Sequence, residues 1–230
     1  MIVLLLTLLG SSAALAADNA ASLDGTADSI DLGSIDPGTT FTFETWARFD
    51  VVDDWETVVQ AIDAGTGFNS FALEYIPDTW VVEIEDINGS EGASCTEAFE
   101  SLCVTQLDLL PDPVHIAVTV SPTELRLYLD GVLAGSRAMT TSPVGLATDV
   151  WQLGVDDIGG GSDAMQGLLD EVRIWSRVRS QEEIQCTLGW ALTGQEPGGH
   201  ALRAMASPAR PTNTPDRTGR YPDAAVVNDT

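Results

Sequence analysis

Hydrophobic and polar residues alternate along most of this chain with a period of two, the pattern of strands that bury one face. The clearest run is Phe41 to Phe49, FTFETWARF, with Phe41, Phe43, Thr45, Ala47 and Phe49 on one side and Trp46 on the other. Comparable β-rich runs cover Thr57 to Ile62, Phe68 to Ile76, Thr79 to Ile87, Val114 to Val120, Glu124 to Leu129, Val132 to Ser136 and Asp149 to Asp156. A first, weaker strand over residues 20–32 is interrupted by a turn near Asp24-Gly25. Between the runs stand turn residues: Pro37-Gly38, Asp53-Asp54, Gly65 and Gly67, Pro77-Asp78, and Asp130-Gly131. An Asp-Gly pair between alternating runs is the strongest short hairpin signal. Asn88 to about Thr105 reads as a long loop, with Pro111 and Pro113 behind it.

The stretch Gly167 to Arg179, GLLDEVRIWSRVR, closes the series. Strict alternation puts Leu168, Asp170, Val172 and Ile174 on one face and Leu169, Glu171, Arg173 and Trp175 on the other. Ser180 and Glu183 then have capping-box spacing and open a short helix. Many short strands and one late helix predict an all-β chain: a two-sheet antiparallel β-sandwich with one short helix after the last strand. No internal repeat is present.

The ends differ from this body. Residues 1–16, MIVLLLTLLGSSAALA, read as a secretory signal: the apolar run Ile2 to Leu9 is far short of the ~20 residues needed to span a bilayer, and Ala14-Leu15-Ala16 offers a small-x-small cleavage pattern. No later segment is apolar enough for a membrane span. The expected domain covers residues 17–194. Residues 195–230 carry five prolines and little periodicity, and read as a disordered tail.

Charge narrows the partners. The chain has 35 acidic residues against 10 basic ones, a net charge of −25, and every basic residue is Arg. Such a field repels nucleic acid and anionic lipid. Adaptation to a salt-rich habitat would account for it; so would drift in base composition that swapped Lys for Arg. Of the three cysteines, Cys95 and Cys103 bracket a short polar loop and are the expected disulfide of an exported protein, stabilising by roughly 2–3 kcal/mol. Cys186 is left over and is expected as a small buried residue on the helix.

Catalytic patterns are weak. There is no GxSxG elbow, and Gly159-Gly160-Gly161 is followed by neither Lys nor a helix. His115 sits in an apolar strand and reads as a packed core histidine. Among the tryptophans, Trp46 and Trp175 lie inside strong strand patterns and read as core; Trp55, Trp80 and Trp151 stand near strand starts, where an exposed indole stacks on a sugar, though core packing suits each of them better.

The order of LDGTADSIDLGS, FTFETWARF, HIAVTV, ELRLYLDGVLAGS and GLLDEVRIWSRVRSQEEI resembles the laminin G-like (LamG-like) jelly roll of the concanavalin A-like lectin/glucanase superfamily, over about Ala20 to Thr193. The resemblance implies a jelly roll with the first strand beside the last, and an exported, non-catalytic recognition module for a glycan or an extracellular protein. The alternatives are a structural or adhesion domain of a larger surface protein, or a glucanase-type glycoside hydrolase. The hydrolase pattern, an ExDxE-like run, is met only by Glu83 and Glu85, with no carboxylate at 87. Relatives continue with an apolar-aromatic strand where this chain turns Arg- and Pro-rich, which suggests a truncation or shifted frame after Gly198. The resemblance also implies a rim Ca²⁺ site. Asp24 and Asp28 in the first turn and Asp170 on the last strand are its expected ligands, with Asp156, Asp157 and Asp163 crowding the preceding loop. Oligomeric state is left open.

If the acidic surface is a salt adaptation, the thermal midpoint of the protein rises steeply between ~0.1 M and 1 M NaCl, where the Debye length falls from ~10 Å to ~3 Å. A midpoint indifferent to salt in differential scanning fluorimetry removes that explanation.

Overall fold

A computed structural model describes residues 20–26, 28–52, 54–63, 69–84, 101–106, 112–139, 149–155 and 163–188, with two short strands at 202–204 and 225–227. The strands are β1 (Ala21–Asp24), β2 (Ile30–Ser34), β3 (Phe41–Phe49), β4 (Glu56–Ile62), β5 (Asn69–Ile76), β6 (Thr79–Ile84), β7 (Leu102–Thr105), β8 (Val114–Val120), β9 (Glu124–Leu129), β10 (Val132–Ala138), β11 (Val150–Leu153) and β12 (Gln166–Trp175). Helix α1 (Gln181–Thr187) follows, then β13 (Leu202–Ala204) and β14 (Ala225–Val227). One sheet runs β10-β9-β8-β3-β12-β13-β14, with β1 also on β12; the other runs β2-β11-β4-β5-β6-β7. All paired strands are antiparallel, as in a jelly-roll sandwich. The first strand lies beside the last of the domain, with Ala21 opposite Leu169.

The core between the sheets follows from the alternation. Phe41, Phe43, Ala47 and Phe49 of β3 meet Phe71, Tyr75, Trp80 and Trp151 of the facing sheet. The rings pack edge-on or tilted, Phe41 5.3 Å from Phe71 and Tyr75 4.7 Å from Trp80, the arrangement ring quadrupoles prefer. The hairpin Asp130-Gly131 has positive φ at both residues, 49° and 72°, as a type I′ turn requires.

Four expectations change. The turn at Asp24-Gly25 does not interrupt one strand; it hands the chain from the larger sheet (β1) to the smaller (β2). The end of the expected loop, Leu102–Thr105, is a strand whose Leu102 and Val104 pack on the core beside β6. The tail contributes β13 and β14 to the larger sheet. Most consequential, β12 does not alternate strictly. Its register against β3 shifts between Asp170 and Arg173, and Glu171 takes φ 51°. This β-bulge puts Leu169, Val172 and Ile174 in the core, and Asp170, Arg173 and Trp175 on the outer face. The Asp170 carboxylate accepts the Glu171 N–H at 2.8 Å, the Asp170 carbonyl accepts from the Thr45 hydroxyl, and Arg173 donates to Glu171 at 3.0 Å. Together they hold a backbone conformation that costs a non-glycine residue about 1–3 kcal/mol.

On that outer face lies Glu44, with no exposure at the centre of the larger sheet. Arg173, directly opposite on β12, has a guanidinium nitrogen 3.7 Å from it, and His115 Nε2 is 3.7 Å from the same carboxylate oxygen. Arg179 donates to its other oxygen, and also to the Thr187 hydroxyl and the Glu183 carbonyl of α1, while stacking 4.3 Å over the Trp175 ring. Burial by itself raises the Glu44 pKa; the contacts of His115 and Arg179 outweigh it and hold the carboxyl below its usual range. The expected capping box is formed: Ser180 accepts the Glu183 N–H and Glu183 accepts the Ser180 N–H. Arg177 pairs with the same Glu183 through two nitrogens at 2.8 Å. Beneath the helix, Ile184 packs on Ala117 and Tyr128. His115 is thus a packed, buried histidine, as its apolar strand predicted. Cys186 corrects the sequence reading: it is exposed, because α1 turns Ile184 and Thr187 to the sheet instead.

Glu44→Ala leaves buried Arg179 without its carboxylate and Arg173 with Glu171 alone, and is expected to cost about 3–5 kcal/mol in urea unfolding; a loss under ~1 kcal/mol contradicts this account. Because the folded pKa of Glu44 is lowered, its stabilisation is complete above the ordinary carboxylate range and is lost as pH falls through the folded value. Gly167 tests the β12–β3 approach: a Cβ there would stand 1.9 Å from the Arg48 carbonyl oxygen. Gly167→Ala is therefore expected to lower the thermal midpoint by several degrees through backbone displacement, and an unchanged midpoint would show that the strands separate freely.

Candidate functional site

The expected rim carboxylates do not converge. Asp24 and Asp28 are exposed, and Asp24 stands opposite Gln166, four residues along β12 from Asp170, or about 13 Å at ~3.3 Å per residue. Asp24 instead accepts the N–H and the hydroxyl of Thr26, closing its own turn. Asp170 caps the β12 bulge, and burial raises its pKa against the opposing Glu171 N–H bond. Among the described residues no three His, Cys, Asp or Glu side chains are grouped as a metal site. Asp156 and Asp157 lie outside the described residues; Asp163 is half-buried. Cys103, opposite Val81, is disulfide-bonded; Cys95, its expected partner, lies outside the described residues, as does the expected leader.

A different polar surface emerges on the smaller sheet, on the face turned away from the core. Strand pairing aligns Asp31, Gln152, Gln60, Ala72 and Glu83 in one row across β2, β11, β4, β5 and β6. A second row aligns Thr57, Glu74, Val81 and Cys103. Gln60 donates its amide to the Gln152 carbonyl oxygen at 2.9 Å, and Thr57 donates to Glu74 at 3.2 Å. The groups on the central strands, Gln60, Glu74 and Glu83, are buried, whereas Gln152 is half-buried and Asp31 exposed. The arrangement is a floor of hydrogen-bonding groups on β4–β6 with a more open margin at β2 and β11. Ala72, between Gln60 and Glu83, is the one residue of the row without a polar side chain. Carboxamides and carboxylates supply paired donors and acceptors that match vicinal hydroxyls or a peptide backbone.

Sequence reasoning missed Gln60 and Gln152. Each is the lone carboxamide within an apolar run, ETVVQAI and VWQL; only the register shows that they meet. Glu83 was identified for another role, as half of a catalytic pair whose second member, Glu85, lies outside the described residues. The tryptophans divide clearly. Trp80 and Trp151 are fully buried, with Trp151 donating to the Ile35 carbonyl, and neither is open to a sugar. Trp175 is buried beneath Arg179. Trp46 corrects its core assignment: it is half-buried on the outer face, donating to the Leu188 carbonyl beside α1. Trp55 is half-buried as well.

Comparison with known proteins follows the same lines. No curated protein matches the sequence. Among solved structures, the carbohydrate-binding module (CBM40) of the Ruminococcus gnavus IT-sialidase bound to α2,3-sialyllactose superposes with a TM-score of 0.58 at 13% identity, over 74% of this chain and 97% of the module. The receptor-binding domain of a botulinum neurotoxin mosaic serotype C/D has a TM-score of 0.58 at 18% identity, and the match spans 74% of this chain and 41% of that one. A heptameric SAP-like pentraxin from Limulus polyphemus has a TM-score of 0.57 at 11% identity, over 84% of this chain and 94% of that one. At these identities the likeness is one of fold. A family model matches residues 24–185, the whole of both sheets between the first turn and α1. The chain belongs to the concanavalin A-like lectin/glucanases superfamily.

Proposed function

We propose that this chain is an exported, non-catalytic recognition module that binds a glycan through the outer face of its smaller sheet. The observation that carries the reading is the row Asp31–Gln152–Gln60–Ala72–Glu83, a line of hydrogen-bonding groups interrupted by one small residue. Sugar hydroxyls engage the accessible end of the row, Asp31 and Gln152, while buried Gln60 orients the Gln152 carboxamide through its hydrogen bond. The carbohydrate-binding and receptor-binding character of the matched structures supports a binding role over a catalytic one. The net charge of −25 favours neutral glycans over acidic ones, because an acidic sugar meets like charge. Ca²⁺ assistance, through ligands other than the separated Asp24 and Asp170, is part of the proposal and is read by chelation.

Affinity electrophoresis of the full chain through gels carrying a polysaccharide panel, with Ca²⁺ and with EDTA, tests the reading. Retardation on at least one neutral polysaccharide is expected. Gln152→Ala, at the open margin, removes a hydrogen-bonding arm and is expected to weaken it about tenfold, the loss of ~1.5 kcal/mol. Absence of retardation on every gel moves the assignment to a protein ligand, and release of reducing ends from a retarding polysaccharide overturns the non-catalytic reading.

A further inference from the structure

The end of the sandwich where Phe41 packs on Trp151 carries a feature that glycan binding does not use. There β11 pairs Val150 with Ile62 of β4, so Asp149 and Asp63, one residue further along each strand, come opposite one another. By the alternation of these strands both share the side of Trp151 and Ala61, whose side chains lie in the core. They are directed between the sheets. Asp149 has no exposure, and neither of its carboxylate oxygens has a hydrogen-bond partner among the described residues. Ser70, itself 2% exposed, approaches it from the start of β5, and Asn69 stands opposite Ile62 on the same strand. Burial raises the Asp149 pKa; Ser70 works against that rise, and the charge of Asp63 adds to it. No Arg figures among these influences.

A buried carboxylate facing a second carboxylate costs several kcal/mol unless something neutralises it. A proton shared by the pair would engage one Asp149 oxygen and leave the other bare. A cation engages both. The groups at hand are two carboxylates and a hydroxyl, all oxygen donors and none soft, which is the kind a hard divalent cation takes. We propose that Asp149 and Asp63, with Ser70, hold a divalent cation of the calcium class between the ends of β4, β5 and β11. This place is at the far end of β3 from the turn that holds Asp24, which packs beside Phe49 through Gly167. The site is structural: it neutralises the pair and ties three strand ends together.

Calorimetric titration of CaCl₂ into the chelator-stripped full chain near neutral pH tests it, with thermal unfolding in parallel. Saturable binding is expected with Kd of about 0.1–1 mM, the range of extracellular calcium modules. Asp149→Asn is expected to weaken it at least tenfold and to abolish the calcium-dependent rise in thermal midpoint; Asp63→Asn serves as the second variant should the first not fold. Asp24→Asn is expected to bind as the wild type does. Binding that survives both Asp149→Asn and Asp63→Asn, or that is lost in Asp24→Asn, overturns the proposal. So does a wild-type midpoint that ignores calcium yet climbs as the pH is lowered toward about 4, because a carboxyl with raised folded pKa loses stability as pH rises, the behaviour of a shared-proton pair.

Discussion

A carboxylate with no exposure sits at the middle of the larger sheet, and much of the outer architecture answers to it. Glu44 occupies an outward position on β3, where the sheet would otherwise be covered by apolar side chains. Two guanidinium groups from beyond the β12 bulge neutralise it, one from the strand itself and one from the turn that follows. The helix takes its place from the second of these, because Arg179 binds Glu44 with one end and the Glu183 carbonyl and Thr187 hydroxyl with the other. The bulge, the turn and the helix therefore form one electrostatic unit. Its worth lies in specificity of position as much as in stability, since an apolar substitute would pack as well but would fix no such geometry.

The fold was legible because its determinants are local. Alternation in FTFETWARF, Asp-Gly in the β9–β10 turn, and Ser180 with Glu183 at the helix start each act within a few residues. The misreadings share one cause, which is that pairing is not local. Nothing in GLLDEVRIW signals the bulge at Glu171; it follows from the fit of β12 between β1 and β3 and from the Arg173–Glu44 pair. The same holds for the site. Acidic residues in loops drew attention to Asp24, Asp28 and Asp170, yet Asp24 and Asp170 satisfy nearby backbone and Asp28 is simply exposed. Gln60 and Gln152 look unremarkable along the chain and become a pair only through register.

The charge distribution adds a constraint of its own. With 35 acidic residues and 10 Arg, this chain has few cations with which to compensate a buried carboxylate. Arg173 and Arg179 are spent on Glu44, and Arg177 on Glu183. The groups acting on Asp149 include none. An acidic protein that buries a carboxylate beyond the reach of its few arginines must neutralise it from solution, with a cation or with a proton.

The pairing of β1 with β12 also decides how the module bears load. Because the two strands are antiparallel, the start of β1 at Ala21 and the run of β12 toward α1 point the same way. Tension applied through those two ends peels the four-residue ladder one pair at a time instead of shearing it all at once. In a stretched assembly β1 would yield first, leaving β3, β8 and β12 joined, and the pull would pass next to β2 at the edge of the smaller sheet. Such a domain gives slack under pull before its central strands part.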